Sequence, residues 1–353
     1  MHAEPADAEF DVVLSGQVFF DLVFTGLDSS PQPGTEVRTS GLGASPGGIA
    51  NLAVAAGRLG LRPTLAAVLG DDAYGQWCWD VLTEEGVDLG PSRRLEGVNT
   101  ALTVSITEHD DRSMVTYDSE RSIPADELLR DGVSARAGIA DLNGMRGDVD
   151  TAWWKRAADE GTRIFADIGW DSTGRWDPRD LDPLASCYAF TPNLREATAY
   201  TRTDSPLAAA RRLAERVPLV VVTCGPDGAV AIDSATGEEA QVPAVPVELL
   251  DATGAGDVFA ASFVLGTLRE WPLEQRLAFS ALCSGLAVQQ LGGSLGAPGW
   301  AEIAEWWRRT EAAGDRDLRA RYGFLSDILP AEPAQPARRA EPTFRFPHPL
   351  PSP

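Results

Sequence analysis

Apolar positions follow two alternating periods along this chain. DVVLSG (11–16) is a short apolar run closed by Gly, the pattern of a buried strand. IANLAVAAGRLG then sets Ile49, Leu52, Ala53, Ala56 and Leu59 at helical spacing and stops at Gly60. TLAAVLG reads as a strand and AYGQWCWDVLTEEG as a helix closed by Gly86. The alternation continues with WWKRAADEG before RIFADIG, CYAFTPN before a helix, and LAAARRLAERV before LVVVTCG. It predicts an α/β fold, a mostly parallel central sheet with helices on both faces. In such sheets ligands sit beyond the carboxyl ends of the strands, so site residues are sought just after strands.

Two stretches depart from this pattern. ALTVSITEHDDRSMVTYDSE (101–120) alternates Thr103, Ser105 and Thr107 with Val104 and Ile106 around a polar turn, which fits an antiparallel hairpin with one wet face. With residues near 18–40 it would form a small separate sheet, either an edge hairpin or a lid. After WAEIAEWWRRTEAAG, a final helix, LPAEPAQPARRAEPTFRFPHPLPSP is rich in Pro and Ala without periodicity. It is expected to be disordered from about residue 330, ahead of the alternative that FRFPHPLPSP is a docking peptide.

Composition narrows the chemistry. At 353 residues the chain can bury a sizeable core, and a net charge of −22 excludes a nucleic-acid backbone and disfavours an anionic membrane as partners. A small phosphorylated ligand stays admissible, because local amides and a metal ion can outweigh the global field. Cys78, Cys187, Cys224 and Cys283 form no CxxC, and with no secretory signal or long apolar run a cytoplasmic protein is expected. Only His2, His109 and His348 are available, at the two ends and in a turn. Histidine-based triads and His-ligated zinc are therefore excluded, leaving carboxylates, backbone amides and a hard metal ion.

DATGAGDVFAASF (251–263) places small residues just before a helix-competent run. First-turn amides have no intrahelical partner and the helix dipole adds positive potential, which makes an anion site. Read as a Gly-rich turn with Asp257 favouring the helix start, the stretch is equally well explained. No Lys-Ser/Thr follows, so it is not a Walker A loop, and it lacks the third Gly of a dinucleotide fingerprint. Asp257 has a role if phosphate is transferred: amides hold the phosphoryl oxygens while the carboxylate takes the acceptor's proton.

DATGAGDVFAASF resembles the C-terminal signature of the ribokinase-like (PfkB) carbohydrate kinases, and PGGIANLAVAAGRLG resembles their N-terminal signature. The resemblance covers roughly residues 10–312. It implies a three-layer α/β/α domain over 10–315 with a small β lid from about 17–42 and 98–120, followed by a C-terminal extension, 316–353. It implies ATP- and Mg²⁺-dependent transfer of the γ-phosphate to a hydroxyl group. Asp257 would be the catalytic base, with Gly254, Ala255 and Gly256 as the anion hole. Asp21, Gly47, Gly48 and Asn51 would bind the acceptor. Asn193 and Glu196 of TPNLREA would hold Mg²⁺ and phosphates through water, and Thr223, Gly225 and Gly228 of VTCGPDG would lie near ATP. Asp251 and Thr253 match a monovalent-cation (K⁺) site of some relatives, and a homodimer through the lid is a further expectation.

Three positions depart from that pattern. Two residues rather than the commoner three separate Gly48 from Asn51, Ala252 replaces Thr, and Ser262 stands where Gly or Ala is usual. No Lys or Arg precedes Arg58 after the first signature, so an acceptor without phosphate is expected, a monosaccharide first. A nucleoside is the alternative, with Phe19, Phe20 and Phe24 as a wall for the base. A non-catalytic sugar or nucleotide sensor is a third reading, disfavoured by the intact Asp257.

Overall fold

The first apolar run forms β1 (Phe10–Ser15) at the heart of the main sheet, where Val12 and Leu14 point to one face and Val13 to the other. The structure, a computed structural model, describes residues 8–342 apart from 28, 30, 109–110, 119–121, 143–151, 170, 172 and 333–334. His2, His109 and His348 lie outside the described residues, as does FRFPHPLPSP.

In chain order β2 (Val18–Thr25) and β3 (Gly41–Gly48) lead to α1 (Ile49–Arg58). Then come β4 (Pro63–Ala66), β5 (Val68–Gly70), α2 (Ala73–Glu84), β6 (Arg93–Leu95), β7 (Leu102–Glu108) and β8 (Asp111–Tyr117). The short α3 (Ala125–Leu128) precedes β9 (Ala135–Asp141), α4 (Trp153–Asp159), β10 (Arg163–Asp167) and β11 (Ala189–Phe190). Helices α5 (Leu194–Thr201) and α6 (Pro206–Leu213) follow, then β12 (Leu219–Thr223), β13 (Ala229–Asp233) and β14 (Glu238–Val242). The chain continues through α7 (Ala255–Leu268), α8 (Leu273–Ala287), α9 (Gly293–Gly296), α10 (Trp300–Ala313), α11 (Arg316–Tyr322) and α12 (Leu325–Ile328).

The main sheet has the order β14-β13-β12-β11-β10-β9-β1-β4, parallel from β4 to β12 with β13 and β14 antiparallel at one edge. Helices α1, α7 and α8 cover one face and α4, α5 and α6 the other. Helix α7 is apolar nearly all round because it is buried nearly all round, wedged between α1 and α8.

A second sheet, β3-β2-β7-β8, is the predicted small sheet. Its third segment was not visible in the pattern. GLGASPGG has almost no side chains to bury, yet it forms β3 because it pairs with all of β2, from Thr25–Gly41 to Val18–Gly48. This lid strand therefore runs to Gly48, past the expected limit at residue 42. TLAAVLG also divides into two strands. The buried Ser92 hydroxyl accepts from Ala67 N–H at 3.0 Å and donates to the Leu65 carbonyl at 2.6 Å, which ends β4 and sends β5 to pair with β6.

Beyond residue 315, α11 and α12 place Tyr322 and Leu325 fully inside the main core. Composition predicts disorder from about 330, but residues 335–342 have defined partners. Ala337 N–H donates to Glu302, the Arg339 guanidinium reaches the carbonyls at the end of α9, and Glu341 bridges to Ala44 of β3.

Candidate active site

Two helices begin at one place. Gly254 caps α7 with φ 73°, a left-handed conformation that a side chain disfavours. Gly48 caps α1 with φ 63° and ψ −132°. Asp257 stands in the first turn of α7 and Asn51 in the first turn of α1, and the Asn51 amide donates to the Asp257 carboxylate at 2.8 Å. Asn51 is buried, and its Oδ1 has no hydrogen-bond partner among the described residues. The shortened spacing after Gly48 therefore still brings this amide to Asp257.

Small residues make that convergence feasible. A Cβ on Gly254 would lie 2.7 Å from Gly293 Cα, and one on Gly293 would lie 2.5 to 2.9 Å from the Asn51 amide atoms. A Cβ on Gly256, by contrast, would meet nothing within 4 Å, so open space faces the helix start there. Ala255 N–H is already turned onto the Ala252 carbonyl at 3.3 Å.

The acceptor residues expected on the lid come together beside this point. Asp21 pairs with Ser45 across β2 and β3, and its buried carboxylate lies over Gly47, where any Cβ would collide with it. Alternation puts Phe19, Thr103 and Thr116 on the same face as Asp21, with the Thr103 and Thr116 hydroxyls 3.2 Å apart. Phe20 and Phe24 point the other way, and Phe20 packs on Tyr74 and Trp77 of α2.

Two carboxylates escaped sequence reading. Asp141 and Asp167 are register partners at the ends of β9 and β10. Their signal was available, since each closes an apolar run where parallel sheets present ligand groups. Asp167 is pushed well above the usual carboxylate range, by burial first and then by the charges of Asp257, Glu196 and Asp141. Burial likewise raises Glu196, to about 7, against the lowering effect of its bonds with Asn193. Those bonds form a capping box at α5: Glu196 accepts from Asn193 N–H, and Asn193 accepts from Glu196 N–H, both at 3.0 Å.

The remaining expected positions fall at the end of β12, in the turn after it and in the segment leading into α7. Thr223 closes β12 and bridges to Asn193. The turn after it, read from the sequence as a nucleotide loop or plain hairpin turn, joins β12 to β13 and holds Gly225 and Gly228 at φ 55° and 94°. Gly225 faces open space, while a Cβ on Gly228 would strike the Val242 carbonyl. Asp251 is buried and uses both oxygens on backbone N–H groups, of Thr253 and Gly292, at 2.9 Å each. Among the described residues no three His, Cys, Asp or Glu side chains are placed to ligate a metal directly. No helix among them is long and apolar enough to cross a membrane.

A three-layer α/β/α domain with a mostly parallel central sheet and a small β lid is a ribokinase-like fold. The sequence profile of the pfkB family carbohydrate kinases matches residues 10–299, and the chain belongs to that family. It is 26% identical over 267 residues to a ribokinase of Schizosaccharomyces pombe, covering 72% of this chain and 83% of the relative. It is 29% identical over 255 residues to a fructoselysine 6-kinase of Shigella flexneri, covering 70% of this chain and 91% of the relative. Among solved structures, an Arabidopsis thaliana ribokinase complexed with ribose and ATP superposes with a TM-score of 0.67 at 21% identity, over 84% of this chain and 98% of that one. A Methanocaldococcus jannaschii nucleoside kinase gives 0.67 at 18%, over 86% and 99%.

Proposed function

We propose that this protein is an ATP-dependent kinase that phosphorylates a hydroxyl of an unphosphorylated monosaccharide. The observation that carries the reading is the Asn51–Asp257 hydrogen bond beside the open helix start at Gly256. Asp257 accepts the proton of the attacking hydroxyl, Gly256 leaves room for phosphoryl oxygens at the positive end of α7, and Gly254 supplies the left-handed cap from which that helix starts. Ala255 contributes small size rather than its N–H, which is bonded to Ala252. Asn51 orients the carboxylate.

The carboxylates at the strand ends fit a divalent cation. Burial raises Asp167 first, the charges of Asp257, Glu196 and Asp141 raise it further, and a cation with its phosphates would relieve that crowding of negative charge. With Glu196 tied to the α5 start and no direct three-ligand set among the described residues, Mg²⁺ would be held through water and phosphate oxygens, as its reluctance to dehydrate favours. It supplies charge neutralisation on the transferred group. Asn193, Thr223, Gly225 and Gly228 would line the nucleotide side. Asp251 and Thr253 shape the loop where a monovalent cation would sit.

Three observations support the acceptor class. The lid face around Asp21, Gly47, Gly48 and Asn51 carries Thr103 and Thr116 hydroxyls, suited to a polyol. Phe20 and Phe24 face away, leaving Phe19 alone as an aromatic wall and weakening the nucleoside alternative. Arg58 is buried and bound to Glu85 and to backbone carbonyls, so it offers no grip for a substrate phosphate. ADP release should be screened against neutral sugars, nucleosides and sugar phosphates. Turnover on neutral sugars is expected, turnover on sugar phosphates alone would refute the acceptor assignment, and binding without any turnover would favour a sensor.

The lid face opposite Asp21 packs on the body at Phe20 and Leu22 but leaves Val115 and Tyr117 exposed, which suits a lid-to-lid homodimer. Sedimentation as a monomer at micromolar concentration would dismiss it. The four thiols are unpaired, in keeping with a cytoplasmic setting.

A further inference from the structure

The segment 335–342 lies beyond the family match, which ends at residue 299, and it touches both the lid and the catalytic body. On the lid, Ala44 N–H of β3 donates to the Glu341 carbonyl at 2.9 Å in an antiparallel bridge. The Ala340 methyl sits between two glycines: a Cβ on Gly43 of β3 would lie 3.1 Å from it, and one on Gly292 would lie 3.3 Å from it. A side chain at either position would have to press the strap back by a few tenths of an ångström. On the body, Arg339 donates to the carbonyls of Leu295, Gly296 and Ala297 at 3.1–3.3 Å and pairs with Glu302. Glu302 also accepts from Ala337 N–H at 2.9 Å, and Arg338 pairs with Glu84 of α2. Arg58, at the end of α1, binds two of the same carbonyls and that of Arg338.

What the strap holds is the wall of the active site. Its guanidinium anchors the C-terminal end of α9. The N-terminal side of α9 packs against the machinery: Gly292 N–H bonds Asp251, Gly293 abuts the Asn51 amide, and Gly254 abuts Gly293. The Ser294 hydroxyl bonds the Pro46 carbonyl, so α9 and β3 are already joined on one side. The strap joins them on the other. Strand β3 carries Gly47 and Gly48 of the acceptor site, so its position relative to Asn51 and Asp257 decides whether that site is assembled.

We infer that residues 335–342 are a positioning strap that holds lid strand β3 against α9 and so keeps the acceptor half of the site assembled before substrate arrives. Arg339 and Ala340 are its positioning residues. The inference rests on the kinase reading for its kinetic consequence but not for its structural one. Apparent affinity falls with the fraction of molecules in the competent arrangement, so loosening the strap weakens acceptor binding. The nucleotide residues on β12, its following turn and α5 make no contact with the strap among the interactions above.

The test uses two full-length variants. Arg339→Ala removes the anchor, and Ala340→Leu wedges the strap away from Gly43 and Gly292 without changing charge. Each should raise the acceptor KM about fivefold or more, the usual scale of coupling between linked sites, while the ATP KM stays within about twofold. Hydrogen exchange at the Ala44 amide should accelerate in both. An unchanged acceptor KM in both variants, or equal changes in both KM values, would overturn the inference. If no sugar or nucleoside is turned over by the wild type, the kinase reading fails by itself, and the exchange rate at Ala44 decides alone: wild-type rates in both variants refute the strap.

Discussion

The Asn51 amide lies 2.8 Å from the Asp257 carboxylate, although 206 positions separate them in the chain. Each sits in the first turn of a helix whose cap is a glycine at positive φ, and the two caps bring the turns face to face. The bond fixes which way the carboxylate points. Its donor is an uncharged amide, set by the first turn of α1.

Asp257→Asn keeps the shape and can retain the contact with Asn51, but it removes the proton acceptor. The rate constant kcat should fall about 10²- to 10⁴-fold, the usual contribution of general-base help. ATP binding, followed by calorimetry, should stay close to wild type. A rate within a few-fold of wild type would dismiss Asp257 as the base.

Gly254 and Gly256 separate structural need from chemical need. Gly254→Ala forces a Cβ into Gly293 at a left-handed φ and should destabilise the fold by about 1–3 kcal/mol, read as a lowered unfolding midpoint. Gly256 is in regular helix facing open space, and Gly256→Ala should leave thermal stability unchanged or slightly raised, since Ala favours helices. Its methyl occupies the space assigned to the phosphoryl group, so kcat should still drop at least about tenfold, the loss expected from about 1.4 kcal/mol of lost transition-state contact. Full activity in Gly256→Ala would remove the anion hole from this turn.

Glu196 gives a pH signature in the metal-free protein. Its folded value, about 7, is above the ordinary 4.5, so the native state binds the extra proton between those limits. Its contribution is therefore favourable at low pH and is lost as pH rises from about 4.5 through about 7. Glu196→Gln cannot titrate and can still accept the Asn193 N–H. Denaturant melts in chelator should show the variant gaining stability relative to wild type across that window. Parallel pH profiles for the two proteins would contradict the assignment.

Much of this arrangement could be read from the chain. The alternation of periods predicts the parallel sheet and its helical layers because burial on both faces demands those patterns. Asp257, Gly254, Gly47 and Asn51 are picked out through the resemblance of two Gly-rich stretches to the family's signatures, since the DATGAGD turn by itself reads equally well as a plain helix start. Asp141 and Asp167 also left a mark, at the ends of apolar strands, but nothing local says that two strand ends 26 residues apart adjoin each other and Asp257.

What the sequence by itself determined, then, is the layered architecture, the lid hairpin and the residue types at the helix start, all consequences of short-range periodicity and backbone freedom. Only the tertiary structure decided the rest. GLGASPGG becomes a strand because β2 supplies its hydrogen bonds, and ARRAE becomes a strap because α9 presents carbonyls to Arg339. Asn51 reaches Asp257 because glycines at 254 and 293 let three segments pack without side chains between them. Those outcomes depend on partners far away in sequence, and no local pattern encodes a partner.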